Sequence, residues 1–165
     1  VFPKLTGITI LALEEKMHDF LGGIYMECEL MSKRTGQFFT PDALSTMMAK
    51  MTLSNCQDVI NDKGCFTMND CACGSGSTLI NALAHLKDEK INFQTKVVLY
   101  AEDIDYICFH MTYIQLSILG VPAVVKRGNT LTMEFDDPWY TFGYTREFQA
   151  MHGVLNPVWW RKEEV

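Results

Sequence analysis

The segment Asp70-Cys71-Ala72-Cys73-Gly74-Ser75-Gly76 sets an acid, two thiols and two glycines between a predicted strand (residues 65–69) and a helix predicted from Ser77 to about Leu86. Glycine has no Cβ, so at such a junction the backbone can come close to a bound cofactor. The segment reads as a nucleotide-type binding turn, with a purely structural turn as the less favoured alternative. A phosphate-binding GxxxxGK[ST] loop needs a lysine after Gly76, where Ser77 stands. A GxSxG nucleophile elbow needs glycine where Cys73 stands, and GxGxxG would end on Leu79. A second acid narrows the choice. Asp103 ends the next predicted strand, about 30 residues on, where doubly wound folds place the carboxylate that holds both ribose hydroxyls of a cofactor. Helix capping is the other reading of these acids; it is favoured for Asp105, and ribose binding for Asp103.

The thiols point to less chemistry. Cysteines 28, 56, 65, 71, 73 and 108 form no CxxC pair, and Cys71-x-Cys73 lacks the second pair that would complete four zinc ligands. They read as reduced thiols of a cytoplasmic protein.

Alternating elements must hold the two acids. Ile10, Leu13, Met17, Phe20, Leu21 and Ile24 recur at helical spacing and predict one amphipathic helix ahead of Gly22-Gly23. Thr40-Pro41-Asp42 predicts a helix start with Thr40 as N-cap, and Leu44, Met47, Met48 and Met51 as its buried face. Residues 96–101 (KVVLYA) predict a buried strand. Asp105 predicts the cap of a helix buried through Ile107, Met111, Ile114 and Ile118, ended by Gly120, and residues 123–126 predict a third strand. This alternation predicts a parallel, doubly wound α/β sheet. Residues 1–54 form the expected N-terminal helical segment, and 55–165 the α/β domain, with an irregular tail from about residue 133.

With 165 residues, 48% hydrophobic and 21% charged, the composition is that of one globular domain. No apolar run approaches the roughly 20 residues that span a bilayer. Net charge is −6, with basic residues paired only at Lys33-Arg34, Lys126-Arg127 and Arg161-Lys162. DNA affinity comes largely from basic groups on phosphates, so this chain alone is expected to bind nucleic acid weakly. The first residue is Val1, which leads us to expect further sequence upstream.

Four ordered segments spanning roughly residues 30–131 resemble the amino-methyltransferases that methylate adenine N6 in DNA, above all the modification subunits of type I restriction systems. They are RTGQFFTP (34–41), DCACGSGSTL (70–79, against the family's D-P-A-C-G-S-G-G), LYAEDID (99–105), and MTYIQLSILGV with RGNTL (111–121 and 127–131). The resemblance implies a Rossmann-like fold using S-adenosyl-L-methionine, here truncated after the fourth strand position. It assigns Phe38, Phe39 and Thr40 to the methionine or sulfonium side of the cofactor, and Asp70, Ala72, Cys73, Gly74 and Gly76 to its cradle. Asp103 would take the ribose and Ile104 would pack on the adenine. Asn129 stands where the family often has an adenine-contacting Asp. Read from helix-entry patterning, Phe38 and Phe39 could instead staple the following helix to the core.

Catalysis in this family uses an Asn/Asp-Pro-Pro-aromatic segment, whose carbonyls accept the N6 hydrogens of a flipped adenine stacked on the aromatic ring. The nearest match is Asn156-Pro157-Val158-Trp159, which makes Asn156, Pro157 and Trp159 the catalytic candidates. Val158 replaces the second proline, and residues 148–155 lack a buried run, so a packing turn is the competing reading. With so little chain beyond it, DNA would be engaged together with partner subunits (a specificity subunit or further copies) or sequence outside this chain. The alternatives are a catalytically degenerate module with a regulatory or assembly role, or a methyltransferase for RNA, protein or small molecules.

Overall fold

The computed structural model describes residues 1–28 and 39–144. Three strands form its centre: β1 (Phe66–Asp70), β2 (Val97–Asp103) and β3 (Ala123–Asn129), parallel and in that order. Phe66 lies opposite Val97, and Leu99 opposite Ala123. β2 is buried along its whole length, as expected for a central strand of a parallel sheet. Helix α5 (Ser77–Asp88) followed by the short turn α6 (Phe93–Lys96) connects β1 to β2, and α7 (Tyr106–Ile118) connects β2 to β3.

Alternation along the strands sorts the side chains into two faces. Val97, Leu99, Ala101, Ala123 and Val125 share one core with Ile80, Leu83 and Leu86 of α5 and Phe109 and Leu116 of α7. Val98, Tyr100 and Val124 lie on the other face with Tyr144. Both crossover helices thus contribute to one core cluster, whereas a doubly wound sheet carries helices on both faces. The described residues show a mixed α/β architecture with a mostly parallel sheet.

All three strands end later than their predicted bounds, β2 and β3 also run longer, and β2 takes in Glu102 and Asp103. Beyond β3, the tail is not wholly irregular. Short strands β4 (Glu134–Phe135) and β5 (Trp139–Tyr140) return antiparallel along β3. The buried Thr141 hydroxyl fixes this return, donating to the Val121 carbonyl (2.6 Å) and accepting from the Ala123 N–H (2.9 Å).

Before the sheet lie α1 (Phe2–Glu15), α2 (Phe20–Glu27), α3 (Asp42–Thr52) and α4 (Cys56–Lys63). The single helix expected around residues 10–24 is two. Lys16 is extended, and the Asp19 carboxylate accepts the Gly22 N–H at 2.9 Å to start α2 afresh. Thr40 does not cap α3. Pro41 occupies the N-cap position, and the Thr40 carbonyl accepts from the Ser77 hydroxyl. Nor is Leu44, Met47, Met48 and Met51 the buried face, since each is at least 43% exposed. Ser45 and Ala49 are buried instead, with Ser45 Oγ 3.2 Å from Ser77 Oγ and Asn81 of α5 bonded to Asp42 and Thr46. Small and polar side chains let the two helices approach closely, which turns the methionines outward.

The buried stripe of α7 is likewise rotated. Ile107 and Ile114 are exposed, while Cys108, Phe109, Met111, Thr112, Gln115 and Leu116 are buried. Among the described residues no helix is long and apolar enough to cross a membrane, and no group of three His, Cys, Asp or Glu could hold a metal ion. All six cysteines are free thiols.

Candidate functional site

The carboxyl ends of the three parallel strands carry Asp70 with the glycine turn, Asp103 with Ile104, and Asn129, at the edge where ligands bind in open α/β sheets. Asp70 closes β1 and organises the turn that follows. One of its carboxylate oxygens accepts the Ala72 N–H (3.2 Å) and the other the Thr78 hydroxyl. The Cys73 N–H donates to the Glu102 carbonyl at 2.9 Å, tying the turn to the end of β2. Gly74 (φ +57°) and Gly76 (φ +96°) are both in the left-handed region, where L side chains are strained. Space is short there too. A Cβ on Gly74 would stand 3.2 Å from the Phe39 ring, and one on Gly76 would stand 3.1 Å from Thr112 Oγ1. Thr112 of α7 also donates to the Gly74 carbonyl at 2.8 Å.

Asp103 completes the arrangement. It is 9% exposed, and its carboxylate accepts from the Gly74 N–H at 2.7 Å and the Asp105 N–H at 2.8 Å. Burial pushes the Asp103 carboxyl above the usual range; the two amide donors oppose this, and the charges of Asp105 and Asp70 add to it. Each oxygen retains a second acceptor direction. Asp105 caps α7, as expected, accepting from the N–H groups of Ile107 (2.8 Å) and Cys108 (2.9 Å). Between the two acids Ile104 is 67% exposed.

Asn129, at the end of β3, uses its Oδ1 locally, accepting from Leu131 N–H (2.9 Å) and Thr132 N–H (3.4 Å). Its amide donors, assigned from that pattern, are what remains for a ligand. Phe39 lies against Gly74 and 5.9 Å from the Tyr25 ring, which accommodates both the staple and the cofactor-side reading. Phe39 and Thr40 also border a cavity of about 520 Å³ with Asp19, Gly22 and Ser77, next to the start of α5. A cavity of about 540 Å³ lies elsewhere, between α1 and the loop before α6. Phe38, Asn156, Pro157 and Trp159 lie outside the described residues.

Sequence reading missed a buried network under the turn. The Asp19 carboxylate accepts from Gly22 N–H, Gln115 Nε2 (2.9 Å) and the Ser75 hydroxyl. Gln115 also donates to the Ser75 carbonyl (2.9 Å), while its own oxygen accepts the Leu21 N–H (3.0 Å). Glycine turn, α2 and α7 are thereby locked together. The available signals were an Asp three residues before Gly22, in N-cap position, and a lone glutamine inside an apolar helix.

Residues 17–162 match the N-6 DNA methylase family, a span containing every residue of this arrangement. The chain belongs to that family. It is similar to the type I restriction enzyme MjaIX methylase subunit of Methanocaldococcus jannaschii, at 29% identity over 118 residues covering 68% of this chain and 19% of that protein. It is also similar to the type I restriction enzyme MpnII methylase subunit of Mycoplasma pneumoniae, at 29% identity over 165 residues covering 93% of this chain and 28% of that protein. The chain therefore spans under a third of the length of these curated relatives. No solved structure matches it.

Proposed function

We propose that the strand ends form the S-adenosyl-L-methionine site of a Rossmann-like adenine-N6 DNA methyltransferase, as part of a type I modification subunit. One observation carries this reading. Asp103 holds the Gly74 amide directly, so the glycine turn and the second-strand acid are two halves of one preassembled cradle. Asp103 would accept the ribose hydroxyls on its free lone pairs, Ile104 would lie under the adenine, and the backbone at Ala72, Cys73, Gly74 and Gly76 would take the methionine end with Phe39, Thr40 and Asp70. Phe38 would join them. Asn129 would meet the adenine as a donor, because its Oδ1 is already engaged.

When bound, the cofactor supplies an electrophilic methyl group. This chain's part is to orient it and keep water away, which is where most of the rate of a group transfer of this kind originates. Asn156, Pro157 and Trp159 would hold the flipped adenine with its N6 lone pair facing the methyl. DNA would be engaged with partner subunits, because a net charge of −6 gives this chain little phosphate affinity of its own.

Calorimetric titration with S-adenosylmethionine, wild type against Asp103→Ala, tests the site. Two lost charge-assisted hydrogen bonds, at about 1.5–3 kcal/mol each, would weaken binding by about a hundredfold or more. Equal binding by the two proteins would remove Asp103 from the site. Labelled methyl transfer to DNA, compared with Asn156→Ala, tests the reaction. Val158, standing where the family has its second proline, favours a second reading in which the chain binds the cofactor but serves in assembly or regulation. Cofactor binding without methyl transfer in the presence of partner subunits would select it.

A further inference from the structure

Glu102 is 1% exposed and lies on the sheet face opposite Asp103, in register with Lys126 of β3. Its Oε1 is buried and has no hydrogen-bond partner among the described residues. Its Oε2 lies 2.7 Å from the Thr130 hydroxyl, and that same hydroxyl lies 2.9 Å from the Cys71 carbonyl oxygen. A hydroxyl has one proton to give. Were Glu102 ionised, Thr130 would face two pure acceptors with a single hydrogen, and a buried charge would rest on a carboxylate with one oxygen unpaired.

As the neutral acid, Glu102 donates to Thr130, Thr130 donates to Cys71, and every proton in the chain is used. The unpartnered Oε1 is then an uncharged carbonyl oxygen, which is far cheaper to bury. Burial pushes this carboxyl upward, against the Thr130 hydroxyl and the Lys126 ammonium, the charged group that faces it from β3.

We propose that Glu102 is a positioning residue, held as the neutral acid, whose proton runs through Thr130 to Cys71 and clamps the turn after β3 onto the glycine turn. The clamp joins Thr130, next to Asn129, to Cys71, next to Ala72. Its bearing on cofactor binding rests on the function proposed above. Because folding raises this carboxyl, the stability it contributes is complete at acidic pH and is lost as pH rises through the raised value.

Infrared difference spectra of the full chain, wild type minus Glu102→Gln, test the protonation without any ligand. A protonated-carboxyl band that vanishes in the variant is expected, and a carboxylate band in its place overturns the proposal. Hydrogen exchange at residues 71–74, expected to be faster in Thr130→Val, tests the clamp, and unchanged exchange refutes it. Circular dichroism checks that both variants fold. In calorimetry with S-adenosylmethionine across pH, Glu102→Gln should match wild type on the acidic side and bind about fivefold tighter than wild type on the alkaline side. A pH-independent ratio between the two overturns the proposal. If wild type binds no cofactor, the proposed function falls, while the infrared and exchange results still decide the clamp.

Discussion

Replacing Asp19 by alanine removes the acceptor on which three donors converge: Gly22 N–H, Gln115 Nε2 and the Ser75 hydroxyl. The lost N-cap of α2 costs about 1 kcal/mol. The Gln115 and Ser75 donors, both buried, are left short of a partner, at about 1–3 kcal/mol each before the site relaxes. Partial rearrangement brings the sum to about 3–5 kcal/mol. For a domain of this size each kcal/mol lowers Tm by about 2–4 °C, so Asp19→Ala should melt about 6–20 °C below wild type. Asp19→Asn keeps one acceptor oxygen for Gly22 and Gln115 and should lose about 1–2 kcal/mol. Glu15→Ala, exposed at the end of α1, is the control and should stay within about 0.5 kcal/mol. Thermal and urea unfolding followed by circular dichroism reads all three. A shift for Asp19→Ala no larger than that of the Glu15 control would refute the network. So would equal losses for the alanine and asparagine variants.

Gly76→Ala forces a side chain into a left-handed backbone 3.1 Å from Thr112 Oγ1 and should cost about 1–2 kcal/mol in urea unfolding, whereas Gly7→Ala, inside α1 with nothing near its Cβ, should gain about 0.5–1 kcal/mol. Iodoacetamide should label Cys28 and Cys71 first in native protein, with Cys56, Cys65, Cys73 and Cys108 reacting only on unfolding, since these four are buried and burial raises their thiols; peptide mapping reads the order. Bound S-adenosylmethionine should slow labelling of Cys71. The Asp103 carboxyl is raised by burial, so its share of the cofactor-free stability falls as pH climbs through that raised value. Under the proposed function, cofactor affinity should move the other way, because ribose hydroxyls would need the ionised form. Parallel urea and calorimetric pH series, repeated on Asp103→Asn, check both signs.

The strand-turn-helix unit around Asp70 to Gly76 was legible because left-handed glycines and a terminal acid are local requirements written in residue type. The cap at Asp105 was legible for the same reason. The α3 and α7 faces were not, because periodicity locates a stripe of apolar side chains without saying what lies opposite. Ser45 and Asn81 determine how close α3 comes to α5, and methionines give way to them. Gln115 turns α7 because Asp19, almost a hundred residues earlier, needs its amide. Such long-range polar partners leave only a faint mark in sequence, a polar residue in an apolar run. Membership of the family, by contrast, was readable from the order of four short segments.

The return of β4 and β5 along β3 has an architectural consequence. The outer side of β3 is spent on pairing with its own tail, from Asn129 opposite Glu134 to Val124 opposite Tyr140, with Pro138 between the two short strands. Among the described residues β1 pairs on one side alone, with β2, and its side chains alternate between half-buried and exposed. Among the described residues the open edge of the parallel part of this sheet is therefore that of β1, and any strand added there would arrive beside Asp70 and the mouth of the glycine turn.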